Sequence, residues 1–138
     1  MLDGAGFDES PGAILFEEDS IVQVGTPQSI GTIEDVQITH IHGTVMPSFV
    51  NAHTHLDLTL EGVSSSEMEF MPWVKEVVAP IRREQTKEDV QRAVERGVKL
   101  SKEGGCLTVG DIAGTSEAME VFHRSGLLGV SFLELIGT

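Results

Sequence analysis

The fold turns on one run of the chain, Val45-Met46-Pro47-Ser48-Phe49-Val50-Asn51-Ala52-His53-Thr54-His55-Leu56-Asp57-Leu58. Pro47 opens it, and the residues that follow lack the polar and apolar alternation of a strand with one wet face. That pattern predicts a strand covered on both faces. Side chains two apart in a strand share a face, so His53 and His55 project together, with Asn51 and Asp57 on the same parity. Two imidazoles on one face can hold one metal ion, and zinc, iron and nickel all accept imidazole. The spacing alone does not separate a ligand pair from two hydrogen-bonded histidines. Position favours the ligand pair, because sites in parallel α/β folds gather at the C-terminal ends of strands.

Downstream of this run the period changes. Trp73, Val74, Val77, Val78 and Ile81 recur at helical spacing, with Pro72 in a first turn and Pro80 expected to kink or end the helix. Thr86 followed by Asp89 marks the start of a second helix, whose apolar face is Val90, Ala93, Val94, Gly97 and Val98, and Gly104-Gly105 stops it. Cys106 to Ala113 then predicts a buried strand, Ser116 to Arg124 a short helix carrying Met119 and Phe122, and Leu127 to Ile136 a third strand. Strands separated by helices of this length imply right-handed crossovers and a parallel sheet, an α/β arrangement.

Upstream, Ala13–Phe16, Ser20–Val24 and Asp35–Ile41 are rich in β-branched residues between turn signals, which predicts a small β region. The boundary falls near Val45, dividing the chain into residues 1–45 and 46–138. His40 and His42 form a second pair two apart, but in a strand expected to have a solvated face, so exposed or hydrogen-bonded imidazoles are the simpler account. His123, near a helix end, either favours that terminus by its charge or simply sits on the surface, and is given no catalytic role.

Composition limits the partners. Nine Lys and Arg stand against 22 Asp and Glu in 138 residues, a formal charge of -13, which would repel phosphate backbones and anionic membrane surfaces. The acidic, Gly-rich start MLDGAGFDESPG lacks the positive charge and apolar core of a targeting segment. Leu127–Ile136, broken by Gly129, Ser131 and Glu134, is well short of the ~18 apolar residues of a membrane span. A lone Cys106 forms no internal disulfide and fits the reducing cytoplasm.

The run through Val50-Asn51-Ala52-His53-Thr54-His55-Leu56 resembles the strand-one signature of the amidohydrolase superfamily. Leu107–Ile112 and Phe132–Gly137 look like the second and third strands of its chlorohydrolase and nucleoside or base deaminase branch, with aminofutalosine deaminase-like enzymes similar. Ser48 departs from the glycine usual after the proline, a matter of local backbone. The resemblance implies the first part of a (β/α)8 TIM barrel, preceded by a segment of a small β-sandwich built from both chain ends, whose opening hairpin residues 12–25 resemble. It implies that His53 and His55 bind a divalent metal, zinc first and iron or nickel next. That metal would acidify a water and direct it at an sp² carbon of a small heterocyclic substrate. It further implies a metal-dependent hydrolase of non-peptide carbon–nitrogen bonds, a deaminase of an amino-heterocycle, whose whole form is expected to be a homo-oligomer. A cyclic amidase or carbon–halogen hydrolase of the same superfamily is the near alternative. A non-catalytic βα module with a structural histidine pair is the distant one.

The superfamily's further histidines, its metal-binding aspartate and its proton-shuttling glutamate belong to later strands. A barrel needs typically ~250 residues, so the chain is expected to be an amino-terminal fragment, about three eighths of a barrel, inactive by itself and containing no catalytic residue. Asp111 and Glu134, near the ends of the second and third barrel strands, are candidates to reach substrate if Val109 and Phe132 face inward; a hydrogen-bonded supporting or loop-capping role is the alternative, and the favoured one for Asp111. Trp73 is a candidate to close over a planar ring, although packing under the loop is favoured because its neighbours Val74 and Val77 already define an apolar face. The inward residues Phe49, Val109, Val130 and Phe132 would lack facing strands, so association through exposed edges is expected.

Overall fold

The computed structural model describes residues 10–59 and 68–135 and divides into two units, Met1–Pro47 and Ser48–Thr138. In the first, β1 (Ala13–Glu17) and β2 (Ser20–Gly25) pair antiparallel around a turn in which Glu18 takes a φ of 53°. A single helical turn, α1 (Pro27–Ile30), follows; the Thr26 side chain accepts the Ser29 N–H at 3.1 Å. Both hairpin strands were legible from their β-branched runs.

The third predicted strand does not form. Residues 35–41 carry no strand, Asp35 turns the chain with a φ of 57°, and Ile38 and Ile41 are each 71% exposed. A β-branched pattern predisposes a segment to pair, but the ladder needs a second strand, and none among the described residues supplies it. His40 and His42 are therefore exposed and lie off any strand.

The second unit is mixed α/β. Its sheet is parallel, in the order β3 (Phe49–Thr54), β4 (Cys106–Ala113), β5 (Leu128–Leu133). A turn of 3-10 helix, Leu56–Leu58, caps the end of β3. A continuous helical stretch then runs through α2 (Phe70–Trp73), a π-helical turn (Val74–Val78) and α3 (Ala79–Glu84). Pro80, expected to kink or end the helix, does not end it. The proline lacks an N–H and its ring crowds the preceding turn, and the wider π-turn immediately before it relieves both conditions.

The long helix α4 (Lys87–Glu103) begins at Thr86 with both halves of a capping box, and its buried residues are Val90, Ala93, Val94, Gly97 and Val98, the face read from periodicity. With Ala118 and Phe122 of α5 (Ser116–Arg124) these valines cover Val109 and Ala113 of β4, and Leu56 and Leu127 complete the core. Thr86→Ala should lower stability by about 1 kcal/mol, read from the urea midpoint. Hydrogen bonds from the Thr86 side chain and backbone, aided by Arg92, hold the Asp89 carboxyl below the usual carboxylate range. A folded-state pKa lower than the unfolded one adds stability above the unfolded value, and this is lost as pH falls through the lowered one. The Thr86→Ala difference should therefore shrink in acid; an unchanged difference there would show that the box is not the source.

Only one face of the sheet is covered. Val109 is 2% exposed against the helices, whereas Phe132, expected to share its face, is 55% exposed. The register explains this: Val109 lies beside Gly129, and Phe132 beside Ile112 on the opposite face. Strand β3, predicted to be covered on both sides, is an outer strand, with Phe49 at 56% and Val50 at 68% exposed. With Leu128 and Val130 these residues leave an apolar surface of the kind that drives association. Sedimentation should show species heavier than the 14.9 kDa monomer; a sharp monomer boundary with cooperative thermal unfolding would show that the surface is not adhesive. No helix among the described residues is long and apolar enough to cross a membrane.

Candidate metal centre

Both histidines of the His53-Thr54-His55 run stand at the C-terminal end of β3. The β3–β4 register shifts between Asn51 and Thr54, and the Asn51 side chain accepts the His53 N–H at 3.2 Å. Strict alternation is therefore not what brings the rings together, yet their centres lie 5.1 Å apart with planes at 75°. Two imidazoles on one tetrahedral ion, with Zn–N about 2.0–2.1 Å, place their ring centres roughly 5 Å apart. The pair has the separation that a shared ion requires.

His53 is exposed, whereas His55 is partly buried and anchored. Its Nδ1 lies 3.0 Å from the Ile112 carbonyl oxygen at the end of β4. A ring that donates Nδ1–H to a backbone carbonyl keeps Nε2 free as a ligand, the usual arrangement of metal-binding histidines. Among the described residues no cluster of three or more His, Cys, Asp or Glu side chains is grouped to hold an ion. The pair thus fits two positions of a catalytic zinc site, which uses three protein ligands.

Behind the histidines is a set of buried charges. Asp57, expected to continue the strand parity, instead sits in the 3-10 turn and is 1% exposed; it accepts the Gly114 N–H at 2.9 Å. Arg82 of α3 reaches it: Nε is 3.2 Å from Asp57 Oδ2, an ion pair without the alignment of a hydrogen bond, and Nη2 donates to Oδ1 at 3.4 Å. The Arg82 Nη1 also donates to the Glu134 carboxylate. Asp111, likewise 1% exposed, accepts the Leu56 N–H at 3.0 Å and the Ser131 hydroxyl at 2.7 Å. Asp57 and Glu134 share the Arg82 guanidinium and Asp111 is held by Leu56 and Ser131 instead, so the charges of this set leave an acidic C-terminal edge, which favours a cation.

No family model matches the chain. Curated proteins do. It is 28% identical over 127 residues to 5-methylthioadenosine/S-adenosylhomocysteine deaminase of Clostridium tetani, a match covering 88% of this chain and 30% of that protein. It is 31% identical over 102 residues to the protein of the same name from Haloarcula marismortui, covering 72% of this chain and 23% of the relative. With 5'-deoxyadenosine deaminase of Methanococcoides burtonii it shares 35% over 86 residues, 60% of this chain and 19% of that protein. The chain is homologous to amidohydrolase-superfamily deaminases. It spans less than a third of the length of these relatives, the largest share being 30%.

Against the superfamily signature, the structure brings His53 and His55 together and gathers Asp111 and Glu134 behind them in different ways. Asp111 shares the covered side of β4 with Val109 and spends its carboxylate on Leu56 and Ser131. Glu134 stands past the end of β5, about one third exposed and paired with Arg82. Trp73 packs near Phe70 with ring centres 6.4 Å apart, its Nε1 buried and without a partner among the described residues. Asp57 and Arg82 were not singled out from sequence. The available signal was Arg82 itself, four residues beyond Val78, which is four beyond Val74 on the same apolar stripe.

Proposed function

We propose that the chain carries the His-x-His half of the metal site of a hydrolase that deaminates adenosine-like nucleosides, in the first three βα units of a (β/α)8 barrel. The observation that carries it is the approach of the His53 and His55 rings to 5.1 Å at a parallel strand end, with His55 Nδ1 against the Ile112 carbonyl. The parallel order β3-β4-β5, with helices on one face, is what the opening of such a barrel requires. The names of the relatives supply the substrate class, an amino-purine nucleoside altered at its 5' position. Residues 1–45 would belong to the superfamily's composite β-sandwich. The lone thiol at Cys106 is in keeping with a cytoplasmic enzyme.

A divalent metal in such a site, zinc first, supplies Lewis acidity that makes a water nucleophilic at neutral pH. The chain's own part is to hold two imidazoles, one of them fixed by a backbone carbonyl, beside an acidic edge. Attack on the ring carbon and proton delivery to the departing amine need a further ligand and a proton shuttle, which the superfamily places on later strands. Asp111, Glu134 and Trp73 would then serve the mouth of the site from behind the first contacts with substrate.

Isothermal titration with zinc tests the site directly. Weak uptake is expected, abolished by His53→Ala or His55→Ala and unaffected by His40→Ala with His42→Ala. Loss with the second pair instead would move the site to the first unit. Ammonia release from 5'-deoxyadenosine should stay at background for the 138-residue chain. Turnover that disappears in His55→Ala would mean a more complete site.

A further inference from the structure

Arg82 is not needed to hold a metal, yet its guanidinium touches a residue at the end of every strand in the parallel sheet. It meets Asp57 just past β3, the Ile112 carbonyl at the end of β4 and Glu134 just past β5. Its side chain is only 10% exposed. The space is reserved for it: a Cβ at Gly114 would lie 2.5 Å from Arg82 Nε and 2.7 Å from Asp57 Oδ2.

We propose that Arg82 is a positioning residue for His55: clamped by Asp57 and Glu134, it holds the Ile112 carbonyl as acceptor of the His55 Nδ1–H and so leaves Nε2 to face a metal ion. The inference rests on the metal reading above. Nη2 carries two hydrogens and has three partners in reach, Asp57 Oδ1 at 3.4 Å, Ile112 O at 3.2 Å and His55 Nδ1 at 3.1 Å; in the proposed tautomer the two hydrogens go to the oxygens. Nδ1 lies 3.0 Å from the same carbonyl oxygen, whose two lone pairs take both donors. The 3.1 Å separation of Nη2 and Nδ1 is then that of two donors converging on one oxygen. In the opposite tautomer Nδ1 would accept from Nη2, and the proton on Nε2 would block ligation.

Long-range proton–nitrogen correlation spectra of the metal-free 138-residue chain, with the imidazole neutral, read the tautomer, and zinc titration reads the consequence. The wild type should show His55 as the Nδ1–H form. Arg82→Lys keeps the charge but offers one nitrogen for three partners; it should mix the tautomers and weaken zinc binding about 10–100-fold, as loss of a partner behind a metal ligand does. Because that variant leaves Asp57 poorly paired, Arg82→Met with Asp57→Asn removes both charges and should mix the tautomers equally. An Nε2–H form in the wild type would overturn the proposal, as would an unchanged tautomer and zinc affinity in folded variants of lower thermal stability. A wild type that takes up no zinc but loses its single tautomer in Arg82→Lys would remove the metal reading and leave the positioning role standing.

Discussion

Gly129→Ala should cost roughly 3–5 kcal/mol, enough to remove most of the marginal stability of a domain this size. Gly129 sits in β5 with a φ of +128°, a conformation that residues with a Cβ rarely adopt. Its ladder neighbour is Val109, and an added Cβ would fall 1.8 Å from the Val109 carbonyl oxygen and within 3 Å of two more atoms of the same backbone. Nothing there is the end of a flexible side chain. Relief requires β5 to move off β4 and to give up the parallel ladder from Leu128 to Leu133. Urea unfolding followed by far-ultraviolet circular dichroism measures the loss. A midpoint within experimental error of the wild type would mean that β5 adopts another register.

Asp57→Ala should destabilise by roughly 3 kcal/mol, the lower end of what removing one member of a buried ion pair costs. The carboxylate is 1% exposed and serves the Gly114 N–H and the Arg82 guanidinium together, so truncation strands both donors and leaves a hole. Glu134 limits the damage because it still meets Arg82. Glu134→Gln should therefore cost less than about 1 kcal/mol, since that carboxylate is 34% exposed and water compensates its loss. Equal penalties for the two variants would show that the pair shares the arginine evenly, contrary to their burial. Asp57→Asn separates charge from shape: it keeps an oxygen for Gly114, and about half of the penalty should remain.

Much of the second unit was written locally. The Thr86–Asp89 box, the valine face of α4 and the boundaries of β4 and α5 all follow from neighbours in the chain, because caps, periods of 3.6 and glycine stops act within a few residues. What failed was what depends on a distant partner. Residues 35–41 have strand composition and no strand beside them; Phe49 and Val50 have core composition and no cover. The histidine pair was legible because its spacing and its strand-end position coincide. The charges behind it were not. Asp57 was assigned to an extension of the strand, where the chain instead winds into the 3-10 turn. Arg82 was passed over because a charged residue in an amphipathic helix ordinarily faces water.

The π-helical turn at Val74–Val78 sets the angular phase of everything after it. An α-helix advances about 100° per residue, and a π-turn holds one residue more than the α-turn it replaces. The stretch before it, with Trp73, and the stretch after it, with Arg82, are therefore out of step by one residue's rotation. Substitutions at the exposed Lys75 or Glu76 should be absorbed. Deleting either would leave an ordinary α-turn with Arg82 still directed at Asp57, whereas closing the π-turn with every residue kept would swing Arg82 by about 100°, so the bulge absorbs one residue that a regular helix could not.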